Sequence, residues 1–274
     1  MSGFDDIKKA YDLYQKTGSW GLVKRGLVYT CNGGWIDFGH LNPSSSRPTI
    51  GAENLWKQIK NEGPILTRSE CQNQGNIGYV QLRQALAGCK NRPEFRFKGG
   101  KTGYRVTYRQ DHGNRTLKQK LYPSVERSYV VKHELTLPQK KSVALAIFQD
   151  VSMKFESKQR FYGGFDMLTD SGFSQEDLVS NLIGFYIGLG LVTQSEAIRK
   201  LHPVSRDTSE RLWRANGSVG SHENHTFDPQ LIDTDFINNV KKVCEDECIF
   251  QPKQLPAFFN SITPAMVGTD FLRL

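Results

Sequence analysis

Between Tyr29 and Pro43 the chain reads Tyr29-Thr30-Cys31-Asn32-Gly33-Gly34-Trp35-Ile36-Asp37-Phe38-Gly39-His40-Leu41-Asn42-Pro43, placing a thiol, a carboxylate and an imidazole around a double glycine. An imidazole can take a proton from water near neutral pH or ligate a metal, and a nearby carboxylate can orient its other ring nitrogen. His40 and Asp37 are therefore candidate catalytic residues. Cys31 could serve as a thiolate only with a base to activate it. Nine residues from His40 and inside an apolar strand pattern, it reads as a buried supporting thiol.

A second polar cluster, Gln149-Asp150-Val151-Ser152-Met153-Lys154-Phe155-Glu156, falls on a long apolar stretch. With Pro138 in its first turn, where the missing amide costs little, this stretch reads as a helix to about Tyr162. Ala144, Phe148, Val151 and Phe155 form its apolar stripe, and Gln149, Ser152 and Glu156 share a neighbouring face. Glu156, desolvated beside Phe155, could act as general acid or base. Asp150 could complete a glycosidase-type carboxyl pair, with one proton donor and one ionised partner. The two lie roughly 120° apart around the helix, so a shared site must wrap its edge.

Helices and a few strands must position these groups. Phe4, Ile7, Ala10, Tyr11 and Tyr14 have helical spacing, closed by Gly18 and Gly21. Gly26 to Phe38 reads as strand, Gly33-Gly34 turn, strand, with His40 at the exit. Gly51 to Asn61 is a short helix after the turn-rich Asn42 to Pro48. Phe95 to Phe97, Tyr104 to Tyr108 and Ser128 to Leu137 are strand-like, with Asp111 to Asn114 a turn toward a strand at Thr116 to Lys118. These strands form an antiparallel subdomain or extend the first hairpin. A further helix is expected from Ser174, whose side chain would cap Gln175-Glu176-Asp177, through Leu178, Leu182 and Phe185 toward Gly188. Asn181, polar within that apolar run, is expected to be buried and bonded to the hairpin or the Pro138 helix as a supporting residue. A last helix covers Thr234 to Cys244.

The expected class is thus α+β, an N-terminal β-hairpin and antiparallel strands packed on a mainly helical core. No repeat or low-complexity linker divides the 274 residues, so one domain is expected, with a β-rich insert at 92–137 and central helices at 138–190.

Three stretches carry a family likeness: Leu27 to His40, Asp150 to Glu156, and Phe173-Ser174-Gln175-Glu176-Asp177-Leu178-Val179-Ser180-Asn181-Leu182-Ile183-Gly184. In that order they resemble three signatures of an exported bacterial family known as domain-of-unknown-function family 4056, over about half the chain. The resemblance implies a shared fold and a site built by the hairpin and the two central helices. Phe155 stands where the family has the His of a His-Glu pair, Glu156 keeps the Glu, and the family's lipid-anchored N-terminus has no counterpart here.

Asp37 to Pro43 also looks like the start motif of His-metal finger nucleases, with Phe38 in place of the usual Arg. Such an enzyme needs a metal-binding Asn on the following helix, and Asn54 or Asn61 is available. The net charge of +8 allows attraction to nucleic acid, anionic lipid or an acidic polymer, although solvated strand and helix faces account for it equally. No G-x-G-x-x-G or P-loop is present, so neither cofactor nor metal is specified.

The five cysteines are an odd count, with reduced thiols as the default; Cys244 and Cys248 could pair or stay free, and alone make a weak zinc signal. The N-terminal sequence has no apolar core behind a basic start, and no apolar run is long enough to span a bilayer. A soluble protein, cytoplasmic in its producer or exported by a route other than Sec, is expected. The functional expectation is a hydrolase with a His and carboxylate centre, acting on glycosidic bonds of a cell-envelope or extracellular polymer. A metal-dependent nuclease and a non-catalytic binding or structural module are the alternatives.

Overall fold

The computed structural model describes residues 3–63, 97, 101–111, 124–163, 173–229, 234–244, 246–248 and 254–274. They form an α+β protein with seven α-helices and two small antiparallel sheets. The chain resolves into two compact units, both discontinuous in sequence: residues 1–44, 111–124 and 152–261 make the first, and 45–110, 125–151 and 262–274 the second.

The first unit is mainly helical. Helix α1 (Phe4–Thr17) buries Ile7, Ala10 and Tyr11, and ends at Gly18, whose positive φ of 66° lets its amide reach the Tyr14 carbonyl. Strands β1 (Leu27–Thr30) and β2 (Gly34–Asp37) pair Leu27 with Asp37 and Thr30 with Gly34. Thr30 closes the turn: its hydroxyl accepts from Gly33 N and donates to Gly34 O, each at 3.0 Å. The turn occupies Cys31 to Gly33, one residue earlier than the double glycine suggests, because Gly34 already belongs to β2. The other edge of β1 bonds to residues 201–204, with Cys31 N donating to His202 O and Val204 N to Tyr29 O, so all four β1 residues are buried. Gly26, at φ 108°, leaves no room for a side chain, since a Cβ there would lie 2.3 Å from the carbonyl of Asp6 in α1.

The unit also holds the second half of helix α3 (Leu137–Gly163), α4 (Asp177–Gly188), α5 (Gln194–Lys200), α6 (Arg206–Asn216) and α7 (Thr234–Cys244). Helix α4 starts three residues later than Ser174. Ser174 is held in a bridge to Glu223 and Phe173 O accepts from Asn224 N, so the backbone of these two residues is tied to the 223–224 segment ahead of the helix. The amide of Ser174 donates to Asp177 Oδ2 at 3.0 Å.

The expectation of reduced thiols is corrected by a disulfide between Cys31 and Cys248, 217 residues apart, while Cys244 is a free, buried thiol. Cys244 and Cys248 are thus not partners, although they are one helical turn apart. Cys71 and Cys89 lie outside the described residues.

The second unit holds helix α2 (Ala52–Asn61), the first half of α3, and the sheet β3 (Gly103–Gln110), β4 (Val125–Lys132), β5 (Phe271–Arg273), in the order β3-β4-β5. This sheet is separate from the first hairpin. The open edge of β3 is blunted by one side chain, Gln58, which accepts from Thr107 N and donates to Thr107 O, both at 3.0 Å. Of the expected turn at 111–114 only Asp111 is described, and Thr116 to Lys118 and Phe95-Arg96 lie outside the described residues. No helix among the described residues is long and apolar enough to cross a membrane.

Candidate functional site

His40, Asp37, Glu156 and Asn181 all belong to the first unit. His40 leaves β2 on a short turn set by Asp37, whose Oδ1 accepts from Gly39 N at 2.5 Å and whose carbonyl accepts from Leu41 N at 3.1 Å. The carboxylate facing the imidazole is Asp177, in the first turn of α4, with Oδ1 3.4 Å from His40 Nε2. Asp37, expected to orient the imidazole, instead holds the turn before it. His40 keeps 29 % of its side chain exposed, against 6 % for Asp177, so the imidazole is the group in this contact that solvent can reach.

Glu156, wholly buried on α3, hydrogen-bonds with Asp177, and its oxygens accept from Asn181 Nδ2 and from Phe173 N, each at 3.5 Å. Phe173 holds φ at 64°, a left-handed conformation that a bulky side chain rarely adopts, at the residue whose amide faces Glu156. Asn181 is half-buried rather than buried as expected, and it bonds to the Pro138 helix through Glu156. Glu176 is also buried, and its Oε2 has no hydrogen-bond partner among the described residues.

Buried carboxyls that act on one another cannot all ionise. Burial, and then Glu156, Glu176 and Asp37, push Asp177 well above the usual carboxyl range. Glu176 is pushed up to about 8 by burial and by Asp37 and Glu156. Glu156 is raised by burial as well, but His40, Phe173, Asp177 and Asn181 favour its charged form. Both members of the Asp177–Glu156 carboxyl pair are thus raised, and more of the surrounding groups favour the charged form in Glu156 than in Asp177.

The remaining predicted site residues lie elsewhere or do other work. Asp150 belongs to the second unit, where its carboxylate accepts from Arg127 Nη1 at 2.8 Å, Tyr129 Oη at 2.7 Å and Arg273 Nη2. It ties α3 to β4 and β5, and the carboxyl next to Glu156 is that of Asp177 rather than Asp150. Gln149 is half-buried in that same unit. Ser152 is wholly buried on α3 in the first unit. Cys31 holds no thiol, being half of the disulfide. Asn54 gives its amide protons to the carbonyls of Ser45, Arg47 and Ile50, anchoring the loop before α2.

Asp177, Glu176 and Ser180 were not singled out as site residues from the sequence, because an acidic first turn reads as helix capping. The available signal was the spacing of Asp177, Ser180, Asn181 and Gly184, one small or polar stripe at i, i+3, i+4 and i+7 on an otherwise apolar helix. Among the described residues no three His, Cys, Asp or Glu side chains converge with the geometry of a metal site. A scan against protein-family models, a search of curated proteins and a search of solved structures each returned no match.

Proposed function

We propose that His40 with the Asp177–Glu156 carboxyl pair forms the acid–base centre of a hydrolase. The observation that carries this reading is one chain of contacts, a half-open imidazole against Asp177 and Asp177 against a buried Glu156. In this mechanism His40 takes a proton from the attacking water and returns it to the leaving oxygen. The carboxyl pair stabilises the imidazolium formed in between. On our reading the imidazole, not a carboxyl, meets the substrate.

The substrate class we favour is a glycosidic or related bond in an acidic cell-envelope polymer, a choice supported by the net charge of +8 and by the lack of a cofactor fingerprint. The test is release of soluble fragments and reducing ends from purified cell-wall polymers, by the parent protein, His40→Ala and Glu156→Gln. Release that falls about 100-fold or more in both variants is expected. No release by folded parent protein, or release undiminished in both variants, overturns the proposal.

One observation favours the nuclease reading: His40 does exit a β-hairpin, and helix α2 is the next element in the chain. Cleavage of DNA or RNA that stops with chelator and in His40→Ala would select it over the first reading.

A further inference from the structure

The polar stripe of α4 touches every part of the proposed centre. Asp177 faces His40, Asn181 donates to Glu156, and Ser180, wholly buried, accepts the backbone N–H of Asp37 with its hydroxyl at 3.0 Å. Gly184 completes the row. A Cβ on it would stand 2.8 Å from the carbonyl oxygen of Leu41 and 3.1 Å from that of His40, so the His40 loop lies directly on the helix backbone.

A helix presents i, i+3, i+4 and i+7 as one face, so these four positions move as a rigid body. Two of them grip the backbone on either side of His40: Ser180 holds the chain three residues before it, and Gly184 seats the chain at and just after it. Neither touches the imidazole. What they fix is where the loop sits relative to Asp177 on the same helix.

We propose that Ser180 and Gly184 are positioning residues, and that the Ser180–Gly184 edge of α4 sets the distance between His40 and the Asp177–Glu156 pair. The inference rests on the hydrolase reading for its purpose, but not for its test. The titratable groups that bear on the imidazole are Asp177, at 3.4 Å, and Glu156 behind it. A change in the seating of the loop therefore changes the electrostatic surroundings of His40 even where no substrate is known. A merely structural hydroxyl would leave those surroundings alone.

The experiment is an NMR titration of the His40 ring in the full chain, for the parent, Asp177→Asn, Ser180→Ala, Ser180→Thr and Gly184→Ala. Asp177→Asn calibrates the assay, because it changes the group at His40 Nε2 directly. Ser180→Ala and Gly184→Ala should each move the titration midpoint at least half as far as Asp177→Asn does, and Ser180→Thr, which keeps the hydroxyl, should stay near the parent. Should Ser180→Ala not fold, Gly184→Ala is judged by the same criterion. Midpoints at the parent value in Ser180→Ala and Gly184→Ala, with Asp177→Asn shifted, overturn the positioning role and leave the hydrolase reading standing. A midpoint unmoved by Asp177→Asn itself removes the His40–Asp177 contact, and the hydrolase reading with it.

Discussion

His40 Nε2 lies 3.4 Å from Asp177 Oδ1, a contact that joins the loop leaving β2 to the first turn of α4. It sets a part-exposed imidazole against a carboxyl that burial pushes well above its usual range. Two residues 137 positions apart in sequence thus meet in the first unit.

Exchange of Asp177 for Asn should separate stability from activity. Asn keeps an oxygen for the amide of Ser174 and cannot ionise, so it removes the cost of holding a carboxyl among Glu156, Glu176 and Asp37. The melting temperature at pH 8 should be equal to the parent's or higher. Hydrolysis should fall about 100-fold or more, since the imidazolium loses its carboxyl partner. Lower stability with an undiminished rate would mark the cluster as structural.

Glu176 gives the cluster a pH signature. Its folded-state value, pushed up to about 8 by burial and its acidic neighbours, lies above the ordinary carboxyl value that the unfolded chain shows. Between those two values the native state binds more protons than the unfolded state, so stability falls as pH rises through that window. Glu156 and Asp177 are shifted in the same direction and add to the slope. Glu247 is lowered instead: burial alone would raise it, but hydrogen bonds from Thr208 and Ser205 outweigh that, so its contribution is lost only at more acidic pH. Melting temperature should decline from pH 5 to pH 8 in the parent and decline less steeply in Glu176→Gln. Parallel curves for the two proteins would show that Glu176 does not titrate in this range.

Local periodicity makes much of this architecture legible. The β1–β2 hairpin follows from Leu27, Val28 and Tyr29 paired across a glycine turn, and α1 from its three- and four-residue spacing closed by Gly18. His40, Glu156 and Asn181 stand out because each interrupts an apolar pattern. Asp177 does not, since an acid in a first helical turn has an ordinary explanation in capping and the helix dipole. Asp150 misleads for the opposite reason: it lies near Glu156 in sequence, but its partners Arg127, Tyr129 and Arg273 come from two distant strands. The Cys31–Cys248 pairing depends on a Cα separation of 5.5 Å that only the folded chain brings about.

Asp150 should prove structural. Its side chain is 12 % exposed and accepts from two guanidinium groups and a phenol, one of them Arg273 on the C-terminal strand. Asp150→Ala leaves those cations facing one another and should cost about 3 kcal/mol in urea denaturation. The rate on any polymer substrate should stay within twofold of the parent's, because none of Asp150's partners belongs to the His40 cluster. A selective loss of rate with stability intact would return Asp150 to the site.

The disulfide should be the strongest single tie within the first unit. It links the turn of the β1–β2 hairpin to the segment after α7, and Cys31 and Cys248 are both half-buried, within reach of a reductant. Beside it, Glu247 accepts from the amide and hydroxyl of Ser205 and from the Thr208 hydroxyl, so the same short segment caps α6. Closing so long a loop restricts the unfolded chain, and its reduction should cost about 2 to 5 kcal/mol. Cys244 does not offer an easy exchange route, because burial and then the charge of Glu247 push its thiol up to about 12, leaving it protonated and a poor nucleophile. The double variant Cys31→Ser, Cys248→Ser should therefore show the lowered stability of the reduced parent and lose any further response to reductant. A thiol count on denatured, unreduced protein gives an independent check. With the bond in place at most three of the five cysteines can react, and five reactive thiols would mean that the bond does not form.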